Sequence, residues 1–324
     1  MLAGLRSAVG TGMSVLYARG SPVDTLNTSG FAEAVRIAQQ AEAIVLVLGE
    51  REDMSAEAAS RASVELPGSQ TALALAVLRE AGAGADGKRK PVVVVLMNGR
   101  PLAIPELALY APAIIESWFL GVQHGNAVAD VLFGDYNPGG KLPVTFPRWT
   151  GQIPIYYNHR NTGRPPVATE KYTSKYIDVP WTPQFPFGHG LSYTTFAYRN
   201  LRVSADSIGA GDSVVVSVEV TNTGTRAGSE VVQIYVRDDV ASVSVPVKAL
   251  KAFRRIPLQP GETRALLFAL GREALSLYDQ QMRRVVEPGT FTVFVGTSSA
   301  QGMEARFRVF GAPLVIESAT PRFR

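Results

Sequence analysis

Two runs of this chain contain no polar residue at all, Ala-Ile-Val-Leu-Val-Leu at 43–48 and Val-Val-Val-Val-Leu-Met at 92–97. A β-strand sends successive side chains to opposite faces, so a strand with one wet face alternates apolar and polar residues. A strand that does not alternate has to be covered on both sides, which is what a parallel sheet layered by helices provides. Amphipathic stretches around these runs predict helices over Phe31–Ala41, Ser69–Ala81 and Asn126–Phe133, with further strands at Ser14–Tyr17 and Ala113–Phe119. Residues 1–150 therefore read as an α/β sandwich domain, a mostly parallel sheet with helices on both faces.

From Phe196 the period changes to two. Ser213–Thr221, Glu230–Arg237, Thr263–Leu270 and Thr290–Gly296 are predicted strands, punctuated by Asn222-Thr-Gly224, Pro260-Gly261 and Pro288-Gly289. Short strands between turn signals, with no cysteine, predict an all-β sandwich of the fibronectin III type over 196–312, followed by a tail at 313–324. Residues 151–195 are dense in proline and aromatics and read as an ordered connector, because their rings give them surface to bury. A length of 324 residues suits two such domains.

Composition narrows the chemistry. The chain has no cysteine, which excludes disulfides, thiolate nucleophiles and Cys-ligated metals, and its three histidines, His124, His159 and His189, are too scattered for a local metal motif. No metal and no cofactor is expected. The net charge of +4 is spread along the chain rather than gathered into a stripe, so nucleic acid is not an expected partner. No apolar run approaches the ~18 residues of a membrane span. The first residues lack the basic and apolar regions of an export signal. Gly82-Ala-Gly84-Ala-Asp-Gly87 matches a dinucleotide fingerprint, but it follows a helix and precedes a strand, the reverse of what phosphate binding at a helix N-terminus needs, and reads as a loop. Neither a nucleophile elbow nor a P-loop motif occurs.

The segment after the first apolar run is different in kind: Gly49-Glu50-Arg51-Glu52-Asp53-Met54-Ser55-Ala56-Glu57-Ala58-Ala59-Ser60-Arg61. Ligand sites of open α/β sheets form at the carboxyl ends of the strands, and here a loop brings several acids and two arginines to such an end. A solvated charged loop would have the same spacing, and spacing does not choose among Glu50, Glu52, Asp53 and Glu57. Asn98-Gly99-Arg100 follows the second apolar run in the same way, as pocket lining or as an ordinary turn.

A series of motifs in fixed order then becomes informative. These are Glu57-Ala-Ala-Ser-Arg61 with Leu66-Pro-Gly-Ser-Gln70, Val95-Leu-Met-Asn-Gly-Arg-Pro-Leu102, the run from Gly125 to Pro143, Asn161-Thr-Gly-Arg-Pro165, and Phe187-Gly-His-Gly-Leu-Ser-Tyr-Thr-Thr-Phe196. Val220-Thr-Asn-Thr-Gly224 and Glu287-Pro-Gly289 complete the series. In this order they resemble the C-terminal half of family 3 glycoside hydrolases, the bacterial periplasmic β-glucosidase type in particular.

The resemblance implies a protein of three parts, a (β/α)8 barrel, an α/β sandwich and a fibronectin III-like domain, of which this chain is similar to the last two. It implies a retaining mechanism, with the nucleophilic Asp on the barrel and Glu57 as general acid/base; Glu52 and Asp53 take no catalytic role. Such enzymes hold two carboxyls about 5 to 5.5 Å apart across the scissile bond, which a single loop does not supply. The chain by itself is therefore expected to be inactive. Arg61, Asn98 and Arg100 are candidate substrate contacts; Arg61 is also suited to orient Glu57, and a structural ion pair is the role more expected of it. The expected partners are β-linked glucosides or oligosaccharides, the absent barrel domain, and a second copy of the chain forming a homo-oligomer through the face a barrel would cover. The resemblance points to a periplasmic or secreted location. Two other readings stand beside it: a non-catalytic carbohydrate-binding or assembly module, and a hydrolase of another class such as an esterase.

Overall fold

The apolar runs pair as parallel neighbours. In the computed structural model, which describes residues 1–82 and 88–317, β1 (Ile44–Gly49) pairs with β2 (Val92–Met97) and β2 with β3 (Ala113–Glu116), all parallel, with Leu46 opposite Val94 and Val94 opposite Ile114. Val94 and Val95 point to opposite faces and both are fully buried, so β2 is covered on both sides as its composition demands. β1 departs from that expectation. Ile44, Leu46 and Leu48 are buried while Val47 is 41% exposed, because an edge strand need be covered on only one face.

Helices α1 (Leu2–Val9), α2 (Phe31–Gln40), α3 (Gln70–Glu80), α4 (Pro105–Tyr110) and α5 (His124–Phe133) accompany this sheet; α2 packs on α3, α3 on α4, and α1 on α5. Ser14–Tyr17 is not a strand: it has no partner, and Leu16 and Tyr17 lie exposed. The predicted strand Ala113–Phe119 stops at Glu116, because Trp118 adopts a left-handed conformation, φ 51, that no strand tolerates. Gly82 opens the loop after α3, and the rest of the fingerprint-like segment lies outside the described residues.

The chain divides into two compact units. The first comprises Met1–Tyr136, Phe146–Pro154 and Thr182–Gln184; the second comprises Asn137–Thr145, Ile155–Trp181 and the residues from Phe185 onward. In the second, β4 (Phe196–Val203), β5 (Ser207–Gly209), β6 (Val214–Asn222), β7 (Gly228–Asp238), β8 (Ala249–Leu258), β9 (Thr263–Leu270), β12 (Gly289–Gly296) and β13 (Met303–Phe310) form two sheets, of order β4-β6-β9 and β5-β13-β12-β7-β8. Helix α6 (Arg272–Leu275) and a small sheet of β10 (Leu277–Tyr278), β11 (Arg284–Val286) and β14 (Leu314–Glu317) complete it.

The period-two pattern becomes burial directly. Val214, Val216, Val218 and Val220 of β6 face the core with Val232, Ile234, Val293, Val295, Phe291 and Phe307 of the other sheet. Fully burying side chains of this kind contributes roughly 1.5–3 kcal/mol each before the cost in chain entropy.

Candidate functional site

All three parallel strands end on one edge, and each is followed directly by polar residues: Glu50 after β1, Asn98 after β2, and Glu116 closing β3. The backbone at the end of β1 is crowded. Gly49 has φ 142, and a Cβ there would meet the Met97 carbonyl oxygen at 1.9 Å, so only glycine fits. Gln70, at the start of α3 and buried, closes this end: its Oε1 accepts from Gly49 N at 2.7 Å and its Nε2 donates to Gly49 O at 2.8 Å and Val23 O at 2.9 Å.

Glu50 follows, its side chain fully buried. Its Oε1 accepts a hydrogen bond from Arg61 Nη1 at 2.5 Å and lies 3.1 Å from Arg100 Nε, while Oε2 accepts none among the described residues. Both guanidiniums also grip backbone. Arg61 Nη2 donates to Glu65 O at 2.9 Å, and Arg100 Nη2 donates to Met54 O and, at 2.8 Å, to Ala59 O. The loop between the two arginine-bound carbonyls carries Glu57. Ser55 Oγ packs against Gly99, where a Cβ would meet it at 2.4 Å and the Phe119 ring at 3.0 Å, so the Asn-Gly pair is a close approach between loops rather than a free turn.

Glu57 itself is exposed, and its carboxylate makes no hydrogen bond or ion pair among the described residues. The next residue, Ala58, has φ 59, a left-handed conformation that alanine adopts only when its surroundings impose it. The other acids of the loop behave differently. Asp53 pairs with Arg51 at 3.0 Å, and Arg51 also holds Asp24 at 2.6 Å; Glu52 lies exposed in a short 3-10 turn.

The structure thus places Arg61 and Arg100 together on Glu50 and on the backbone of the loop. Asn98 is fully buried, donating to Arg100 O at 2.8 Å and to Glu116 Oε2 at 3.3 Å. Glu116 escaped the sequence reading. Its Oε1 accepts from Trp118 N at 3.0 Å, and burial pushes its carboxyl up to about 7, against the hydrogen bonds from Trp118 and Asn98, which pull it down. The signal that could have found it is an acid ending an apolar strand at the ligand-binding edge. The strained Trp118 beside it sits with its ring 5.8 Å from Phe146.

Among the described residues, Ser117 and His124 resemble a nucleophile with its base. Ser117 Oγ lies 3.0 Å from His124 Nε2, but the hydroxyl donates to Leu96 O at 2.6 Å, so the ring nitrogen is the donor and is not free to take the serine proton. Both side chains are buried, and the pair ties the end of β3 to α5. Among the described residues no group of three or more His, Asp or Glu side chains is placed to hold a metal ion.

Comparison with known proteins gives this geometry a context. Residues 1–193 match the Glycosyl hydrolase family 3 C-terminal domain and residues 230–299 the Fibronectin type III-like domain. The chain is 46% identical over 331 residues to a periplasmic beta-glucosidase of Salmonella typhimurium, covering 95% of this chain and 42% of that protein. It is 46% identical over 299 residues to a beta-xylosidase of Formosa agariphila, covering 92% of this chain and 40% of that one. The structure of a beta-glucosidase from Listeria innocua in complex with gluconolactone superposes with a TM-score of 0.84 at 41% identity, over 90% of this chain and 40% of that one. The chain therefore spans about two-fifths of the length of the relatives it matches.

Proposed function

This chain belongs to glycosyl hydrolase family 3, and from that premise we propose that it supplies the general acid/base of a retaining β-glucosidase-type enzyme, on Glu57. The nucleophilic carboxylate is then contributed by a barrel domain, in the same polypeptide or another. In the first half-reaction Glu57 protonates the departing glycosidic oxygen as the barrel carboxylate attacks the anomeric carbon. In the second it takes a proton from the water that releases the glycosyl-enzyme intermediate. Both steps need a carboxyl that is held in place yet uncommitted. The observation that carries this reading is that the loop is fastened on both sides of Glu57, at Met54 and Ala59, while Glu57 makes no bond of its own.

The substrate class is β-linked glucosides or oligosaccharides, supported by the beta-glucosidases of Salmonella typhimurium and Listeria innocua, and the location is periplasmic or secreted, supported by the name of the Salmonella typhimurium relative. Arg61 and Arg100 serve here through the loop they hold. The face around Glu57 is expected to be covered by the barrel and, in the chain alone, to drive self-association, which light scattering behind size-exclusion chromatography would register as a dimer or larger species.

The test is release of p-nitrophenol from p-nitrophenyl β-D-glucoside, by the purified chain and its Glu57→Ala variant at high protein concentration, with and without a family 3 barrel. No release from either protein alone is the expected result, and with the barrel present the wild-type chain releases p-nitrophenol and also hydrolyses an unactivated β-glucoside such as cellobiose, the second of which Glu57→Ala removes. Release by the chain alone would place a nucleophile within residues 1–324. Binding of glycans without turnover under every condition would favour a carbohydrate-binding module.

A further inference from the structure

The acid/base reading uses one carboxylate of the loop and leaves unexplained the other that the structure treats as special. Glu50 is fully buried, directly follows a strand end locked by Gln70, and forms ion pairs with two arginines, one at the end of the loop and one that reaches into it. Arg61 comes from the loop's own C-terminal end; Arg100 comes from the loop after β2 and reaches across to Met54 and Ala59. We infer that Glu50 is the positioning residue of this site: it fixes Arg61, which ends the loop, and Arg100, whose Nη2 holds the carbonyls of Met54 and Ala59, and so sets the path of residues 54–61 and, with it, the placement of the Glu57 carboxylate.

Three features argue for positioning rather than for general stability. Glu50 Oε1 accepts a hydrogen bond from Arg61 and lies in ion-pair contact with Arg100, whose Nε makes no hydrogen bond among the described residues, while Oε2 accepts none either, an arrangement that fixes cations rather than satisfying the glutamate. The backbone that Arg100 holds is irregular, and its carbonyls at 54 and 59 have no strand or helix partner to hold them instead. Between those carbonyls Ala58 is kept in a left-handed conformation, which persists only where surrounding contacts over-determine it. A neutral or shorter side chain at 50 would free the guanidiniums to follow solvent, and the loop would relax.

This inference rests on the acid/base reading only for its catalytic consequence, and the two are tested separately. In the chain as it stands, hydrogen exchange of amides 54–61 is compared among wild type, Glu50→Gln and Glu50→Asp, with amides 92–97 of β2 as the internal reference. The expected result is at least tenfold faster exchange in the loop with β2 unchanged, in both variants. Loop exchange equal to wild type overturns the inference. So does exchange that rises equally in the loop and in β2 in both variants, since Glu50 would then be a stability residue.

With a family 3 barrel present, Glu50→Gln is expected to lower kcat on an unactivated glucoside tenfold or more with KM changed less than threefold. If Glu57→Ala leaves that activity intact while Glu50→Gln still frees the loop, the acid/base reading fails and the anchoring of the loop by Glu50 stands. If Glu57→Ala abolishes activity and Glu50→Gln leaves both loop exchange and kcat at wild-type values, the inference fails and the acid/base reading stands.

Discussion

Each unit of this chain buries a glutamate beside cationic side chains, and the two are wired differently. Glu230 of β7, its side chain 3% exposed, receives Tyr198 OH at 3.1 Å on Oε1 and Lys141 Nζ at 3.3 Å on Oε2. Lys141 donates its remaining hydrogen bond to Gly190 O at 2.9 Å, so the network closes on itself within one unit. Glu50 gathers two arginines on one oxygen; Arg61 donates onward to Glu65 O, and Arg100 to the loop backbone on either side of an exposed glutamate that is unpaired among the described residues. A closed network fixes a fold. An open one passes the rigidity of a strand end to a group at the surface, the arrangement a catalytic carboxyl requires.

The sharpest way to break this comparison is to remove the group the open network serves. With a family 3 barrel present, Glu57→Gln is expected to reduce turnover of unactivated glucosides by about 10²–10⁴-fold, the usual worth of a general acid/base, with a melting temperature equal to wild type. Loss of stability in parallel with activity would show that Glu57 belongs to the scaffold.

Next in size is the closed network. Glu230→Ala strands Lys141, whose side chain is only 11% exposed, and removing one partner of a buried pair costs about 3–5 kcal/mol, read from chemical denaturation. Activity at low temperature, where the variant remains folded, should be unaffected. A variant that melts normally would mean that Lys141 finds another partner.

Glu116 supplies a dependence on pH. Its folded-state value of about 7 lies above the ordinary 4.5, so between those values the folded protein holds a proton that the unfolded chain releases. Stability contributed by this group is therefore full at pH 4.5 and below and is lost as the pH rises to about 7, by about 3 kcal/mol at most. Glu116→Gln keeps an acceptor for Trp118 N and should flatten that slope, measured as the difference in unfolding free energy between pH 5 and pH 8. An unchanged slope would assign the pH dependence to the other buried acids that burial pushes up, Asp238, raised to about 6, and Glu230.

Periodicity made most of the fold legible. The unbroken runs at 43–48 and 92–97 and the alternation of Val214, Val216, Val218 and Val220 each led to the right kind of sheet, because burial on two faces or on one leaves a different trace in the sequence. Ser14–Tyr17 misled for the same reason, since an apolar stretch without a partner looks like a strand until its neighbours are known. At the site the acidic loop and its location were visible, and the motif order singled out Glu57. The division of labour was not. That Arg61 and Arg100 meet on Glu50, that Gly99 makes room for Ser55, and that Glu116 closes β3 beside Asn98 all depend on contacts between distant segments, and no local pattern records them.

The smallest predicted effect bears on the choice among the acids of the loop. Asp53 and Arg51 form an ion pair whose side chains are 64% and 44% exposed, and pairs of that kind contribute little because water and salt screen them. Arg51 keeps Asp24 at 2.6 Å when Asp53 is gone, which reduces the loss further. Asp53→Asn is therefore expected to leave the denaturation midpoint indistinguishable from wild type and to change turnover by less than twofold. Four carboxylates share this loop, one buried and gripping arginines, one paired at the surface, two free. If Asp53→Asn cost as much activity as Glu57→Gln, the loop would act through its summed charge rather than through one placed carboxyl, and fastening the backbone at Met54 and Ala59 would have no catalytic purpose.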